Sequence, residues 1–189
     1  MKKEEQQPST LESVRSGAYW LAFLAQVFAF CVEVLLRRRM GSRAVGVRGL
    51  AAFFLIPMWI VFFPGQDPVP LTWFWLLFVL GCLFQRVGSA RGDLGHSRYS
   101  GEPILRRLLP WCSEVRIKSL VEPVLVMAVG LVVLAMNEPL GSFLIAAGIG
   151  LGSSAVLSEA VDRARIRDLN DARIEQEYLM ARFREERGE

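Results

Sequence analysis

The stretch RGDLGHSRYSGEPILRRLLPWC, residues 91–112, collects the residue types used for proton transfer: Asp93, the chain's single histidine His96, Tyr99 and Glu102. Carboxylate, imidazole and phenol are the ordinary general acids and bases, so one reading is a membrane enzyme using Asp93, His96 and Glu102. The surrounding sequence argues against it. No second histidine or cysteine stands nearby to complete a transition-metal site, and the chain carries neither a GxSxG elbow nor an HExxH helix. The expectation is a non-enzymatic protein with no catalytic set, no metal and no cofactor.

A plainer reading accounts for more of these residues. Gly92, Gly95 and Gly101 permit turns, and Pro103 can open a short helix. In that helix Ile104, Leu105, Leu108 and Leu109 share one side, opposite Arg106 and Arg107. Pro110 ends it and Trp111 sits at a headgroup boundary, which makes the stretch a connector lying on a membrane surface. The RGD tripeptide at 91–93 carries no adhesion role in such a place. GIGLG at 148–152 has no preceding strand to make it a phosphate loop.

The elements that must hold these residues are apolar. Hydrophobic residues make up 52% of the 189, and the mean hydropathy is positive. Residues 17–36 form a run whose strongly polar members are Gln26 and Glu33, long enough for a hydrocarbon core of about 30 Å. Four further runs follow at about 44–63, 70–84, 115–136 and 140–157, the second bent by Pro57 and the fourth opened by Ser113 and Glu114. The expected fold class is all-α: a polytopic transmembrane bundle of five spans, or of four if 17–36 lies along the interface. A polar tail at 1–16 precedes it and a charged cytoplasmic helix at 159–189 follows.

Lysine and arginine alternate between the connections, with Arg48, Arg116 and Lys118 counted at the wet ends of their runs: five, none, seven, none, then seven in the tail. Basic connections stay in the cytoplasm, which puts the C-terminus there and suggests a bacterial inner membrane. Arg37, Arg38 and Arg39 stop the first span, so no cleaved leader is expected. With Arg106, Arg107 and Trp111 these arginines are assigned to anionic lipid headgroups, a cheaper partner for the basic charge than nucleic acid, which is not expected. Cys31, Cys82 and Cys112 lack paired spacing, so no disulfide framework is expected.

Two small-residue seams predict close helix packing: Ala22, Ala25 and Ala29 in the first run, and Ser142, Ala146, Gly150 and Ser154 in the last, with Gly148 and Gly152 as a second row. Glu33 is read as an i,i+4 partner of Arg37, and Lys118 and Glu122 as the wet end of the fourth run. The absence of ionisable groups near mid-bilayer in the second, third and fifth runs disfavours a proton relay. A small oligomeric pore remains the alternative, with Glu122, Asn137 and Glu138 as mouth residues.

The tail has no proline or internal glycine before Arg187 and mixes both charge signs, so it reads as a water-exposed helix. A partly polar coiled-coil spacing places Ile166, Leu169, Met180 and Phe183 on one seam as partner-binding residues. The functional expectation is a membrane scaffold or anchor: a homo-oligomer or a subunit of a larger complex, recruiting a cytoplasmic protein through the tail and the 85–112 loop.

Overall fold

The computed structural model describes residues 10–40, 46–90 and 101–187. Asp93, His96 and Tyr99 lie outside the described residues, as does residue 1–9 of the polar tail. The described chain is mostly helical: α1 (Thr10–Leu36), α2 (Val47–Trp59) continued by a 3₁₀ turn (Ile60–Phe62), α3 (Val69–Ala90), α4 (Glu114–Arg116), α5 (Glu122–Leu134) and α6 (Glu138–Arg187). A π-helical turn, Ile117–Val121, joins α4 to α5, so Glu114–Leu134 is one helical rod.

Four helical segments are long and apolar enough to cross a membrane: Ser16–Leu36, Val69–Gly88, Glu114–Leu134 and α6. The second apolar run, expected over 44–63, gives the shorter helix Val47–Phe62, which begins after Gly46 and ends, as expected, at a turn with Gly65 at φ +86°. The third run is longer than its apolar stretch, since Gln85 and Arg86 continue the helix to Ala90.

The all-helical expectation also missed a two-residue antiparallel pairing. Arg37–Arg38 (β1) leaves α1 directly and pairs with Glu102–Pro103 (β2), in the register Arg37 with Pro103 and Arg38 with Glu102. A 3₁₀ turn, Ile104–Arg107, follows β2 where the sequence pattern suggested a longer surface helix.

The chain divides into two compact units, residues 1–154 and 155–189. Within the first unit α1 is the central element, packed on α2 and α3. Its Phe30 and Cys31 are buried with Ile56 of α2, Phe78 of α3 and Phe143 of α6, while Ala29 and Val32 meet Val126, Ala147 and Leu151 in a second cluster. Many large apolar side chains are nevertheless more than half exposed, among them Trp20, Phe54, Trp73, Leu83, Phe84 and Val132. Helices this apolar on their outer faces are unlike those of a water-soluble bundle, whose outward positions are polar.

Close approach at glycines sets the packing of α6. A Cβ added to Gly150 would lie 2.6 Å from the Ala25 carbonyl oxygen and 3.1 Å from the Ala29 nitrogen, so α6 and α1 touch backbone to backbone there. Gly148 faces the other way, against Met127 and the Pro123 carbonyl, and Gly141 sits against Leu134. The two small-residue rows of α6 thus serve two different helices. At the hairpin end, Asn137 caps α6 by accepting the Leu140 N–H (3.0 Å) and donates to the Asp67 carbonyl (3.0 Å), while Gln66 donates to Glu138 (3.2 Å).

In the second unit α6 continues as a helix whose described residues from Val156 onward are all exposed. Glu159–Arg163 and Arg173–Glu177 form i,i+4 ion pairs along it, the latter at 2.9 Å.

Candidate functional site

The arginine-rich end of the bundle holds the buried charge pair found among the described residues, Arg37 with Glu122, beside the partly buried Glu33. Leu36 ends α1, and the next residue, Arg37, turns inward: its side chain is 5% exposed. One guanidinium nitrogen reaches Glu33 one turn back, at 2.8 Å. Nη2 and Nε both donate to Oε2 of Glu122, at 2.8 and 3.1 Å. Glu122 is 0% exposed, and its second oxygen, Oε1, has no hydrogen-bond partner among the described residues. Burial works against the Arg37 charge, but Glu33 and then Glu122 outweigh it and hold the guanidinium above its ordinary range.

The π-helical turn explains how a carboxylate arrives there. Pro123 has no N–H to give to the Ser119 carbonyl, so the helical ladder is interrupted at that point. The Glu122 N–H instead bonds to the Ile117 carbonyl, five residues back. The extra residue in the turn aims Glu122 at α1, while Ile117 is fully buried.

These contacts correct two expectations. Arg37 is not available to a lipid headgroup, because its donors are committed to two buried or nearly buried carboxylates. Glu122 is neither the wet end of its helix nor a pore mouth, because it is wholly enclosed with Arg37. The expected Glu33–Arg37 pair is present, as one part of a three-membered cluster. Breaking such a cluster on one side leaves a buried charge without a partner, which costs far more than an exposed pair is worth.

Gln85 of α3 completes the frame. Its amide nitrogen donates to the carbonyls of Val34 and Arg37, which are orphaned where α1 ends, and its oxygen accepts the Met40 N–H at 3.3 Å. Arg39 turns the chain with φ +56°. On the partner strand Gly101, at φ +85°, lies so close that a Cβ would come within 2.9 Å of the Arg38 carbonyl oxygen. Both the dihedral and the contact require glycine there.

Outside this frame Arg38, Arg39, Arg106, Arg107 and Trp111 are exposed. Arg106 reaches Glu114 at 3.3 Å, and Glu114 also holds Lys118 at 2.7 Å. Arg38, Arg106, Arg107 and Glu102 line a half-open cavity of about 120 Å³ whose remaining walls are Pro103 and Ile104. Of the acid–base set, Glu102 is the one member among the described residues; it is exposed, and its backbone pairs with Arg38. No group of three or more His, Cys, Asp or Glu residues among the described ones is arranged to hold a metal ion.

The packing residues fall at distinct contacts. Ala25 and Ala29 meet Gly150, while Ala22 and Ala146 are half-buried. Ser142 accepts a hydrogen bond from the Trp59 indole at 3.2 Å, and Ser154 donates to the Leu151 carbonyl at 2.9 Å. Ile166, Leu169, Met180 and Phe183 are all more than half exposed along the second part of α6.

Sequence reasoning missed the Arg37–Glu122 pair and the Gln85 clamp. Glu122 and Arg37 are 85 residues apart, and no periodicity links them. The available signal was a glutamate directly before a proline inside an apolar helix, together with an amide in the last turns of α3. Comparison with protein-family models, with curated proteins and with solved structures finds no match.

Proposed function

We propose that this chain is a non-enzymatic integral membrane subunit of an oligomeric assembly, a bundle that anchors a long helix and offers it to a partner protein on the cytoplasmic side. The observation that carries this reading is α6, a single 50-residue helix. Its first part buries Phe143, Ala147 and Leu151 in the bundle, and its last part leaves Ile166, Leu169, Met180 and Phe183 uncovered. Apolar side chains on a charged helix gain stability by being covered, and a helix already fixed at one end loses less entropy when a partner covers them.

The outward apolar faces of the four long helices favour lipid as their solvent. The alternation of basic and neutral connections favours the arginine-rich end, with α6's C-terminal part, in the cytoplasm of a bacterial inner membrane. Burial of the Arg37 cluster supports a locked scaffold over a gated pore, because its charges satisfy one another and not a water column.

The test is Leu169→Asp with Met180→Asp in the tagged full-length chain, followed by gentle detergent extraction, mass measurement and identification of co-purifying proteins. The double variant is expected to stay in the membrane fraction while losing its partner or lowering its copy number. Complexes of unchanged mass and composition would reject the assignment of α6 as the recruiting element.

A further inference from the structure

We propose that the cavity between β1 and the 3₁₀ turn after β2 is a binding site for the phosphate diester of an anionic lipid, with Arg38 and Arg107 as its principal donors and Glu102 as acceptor for a hydroxyl on the same headgroup. The inference rests on the membrane reading above and adds a specific ligand to it.

Three features of the cavity lead there. The first is charge: three arginines, Arg38, Arg106 and Arg107, line the cavity together with one glutamate, Glu102, an excess of two positive charges among its lining residues. Arg38 and Arg107 make no ion pair among the described residues, and Arg106 makes only its 3.3 Å contact with the partly occupied Glu114. Guanidinium forks match phosphate oxygens in geometry as well as charge, so three arginines lining one cavity beside a single carboxylate favour a phosphate there.

The second feature is room. A volume of about 120 Å³ is far above the roughly 10–15 Å³ that one water requires, and it admits a tetrahedral phosphate with part of its substituent. Pro103 and Ile104 give the cavity an apolar wall against which a glycerol backbone can lie.

The third is rigidity. Side chains of adjacent strand residues point to opposite faces, so the inward lock of Arg37 on Glu33 and Glu122 fixes Arg38 outward. Gln85 holds the Arg37 carbonyl, Gly101 closes on the Arg38 carbonyl, and the β1–β2 register sets Arg38 opposite Glu102. A site whose backbone is fixed from three sides loses little entropy on taking up its ligand. Its level also fits, because Arg38 stands two residues beyond the last residue of a span, where a phosphate layer would be.

Glu102 narrows the headgroup. A carboxylate in the wall repels a second carboxylate and accepts from hydroxyls, so a glycerol headgroup is favoured over a serine one. The experiment uses the full-length chain in nanodiscs of phosphatidylcholine containing phosphatidylglycerol or phosphatidylserine, with lipid retention read by native mass spectrometry after detergent release. Phosphatidylglycerol is expected to be retained over phosphatidylserine and phosphatidylcholine, and Arg38→Gln with Arg107→Gln to lower that retention about tenfold or more.

Arg184→Gln with Arg187→Gln, which removes the same charge from the tail, is expected to leave retention unchanged. An equal loss from both double variants would reduce the effect to general charge and overturn the site. Retention that inorganic phosphate or glycerol phosphate displaces at millimolar concentration, with no lipid preference, would overturn the lipid and leave a soluble phosphate as ligand. If the chain enters nanodiscs and keeps its partner but shows no headgroup preference, this inference fails alone. If it remains monodisperse in buffer without amphiphile, the membrane reading fails first.

Discussion

Glu33–Arg37 and Glu159–Arg163 are the same motif, a glutamate one helical turn before an arginine, placed in two parts of the molecule. In the bundle the arginine is 5% exposed and turns a second fork on Glu122; in α6's charged part both side chains stand in water, 67% and 47% exposed. The difference shows that local spacing creates a pair but does not assign its energy. In water the pair exchanges hydration for a contact of nearly equal worth, and salt screens what remains. Inside the bundle each charge has already given up its hydration, so its partner is its only remaining compensation.

The widest separation between the two regions should appear on removing an arginine from each. Arg37→Met is expected to destabilise the bundle by about 3–5 kcal/mol, since it leaves Glu122 buried and unpaired. Thermal unfolding in detergent would show it as a large loss, and Arg37→Met combined with Glu122→Leu should recover much of that loss. A double variant no better than the single one would mean that the ion pair contributes specific attraction beyond charge compensation.

A smaller effect is expected at Gln85. Gln85→Leu frees the Val34 and Arg37 carbonyls at the end of α1, at a cost of about 1–3 kcal/mol. Because Met40 also loses its acceptor, hydrogen exchange of the Met40 amide should rise in parallel. Unchanged exchange there would show that the strand pairing holds the segment without Gln85.

The smallest change is expected in the charged part of α6. Arg173→Ala should cost that helix about 0.2–0.5 kcal/mol, and raising the salt concentration should erase the difference from the parent chain. Circular dichroism of the full chain in detergent, followed against salt, measures it. A loss comparable to that of Arg37→Met would mean that Arg173 is covered by a partner, in which case the two regions are alike after all.

Much of the fold was legible because its signals are local. Apolar length marked the four long helices, Ser113 announced the start of α4 by accepting the Arg116 N–H, and the mix of charges marked the exposed part of α6. The run at 44–63 was harder to judge, since hydropathy alone does not register where a helix starts, and this one begins only at Val47. The β1–β2 pairing left no trace in the pattern, as two residues per strand are too few to alternate.

The candidate site divided along the same line. Exposed arginines near span ends could be named from their neighbours in sequence, but Arg37 could not be told from Arg38 and Arg39 by type. What separated them was the widened turn before Pro123, which brought Glu122 to Arg37 from 85 residues away.

From its sequence alone this chain is committed to long apolar helices and to a charged helical end, because transfer from water and helical periodicity act residue by residue along the chain. Which arginine is swallowed, which carboxylate meets it, and which glycine row faces which helix were decided only in three dimensions. Desolvation and close packing depend on neighbours that the backbone supplies from distant segments.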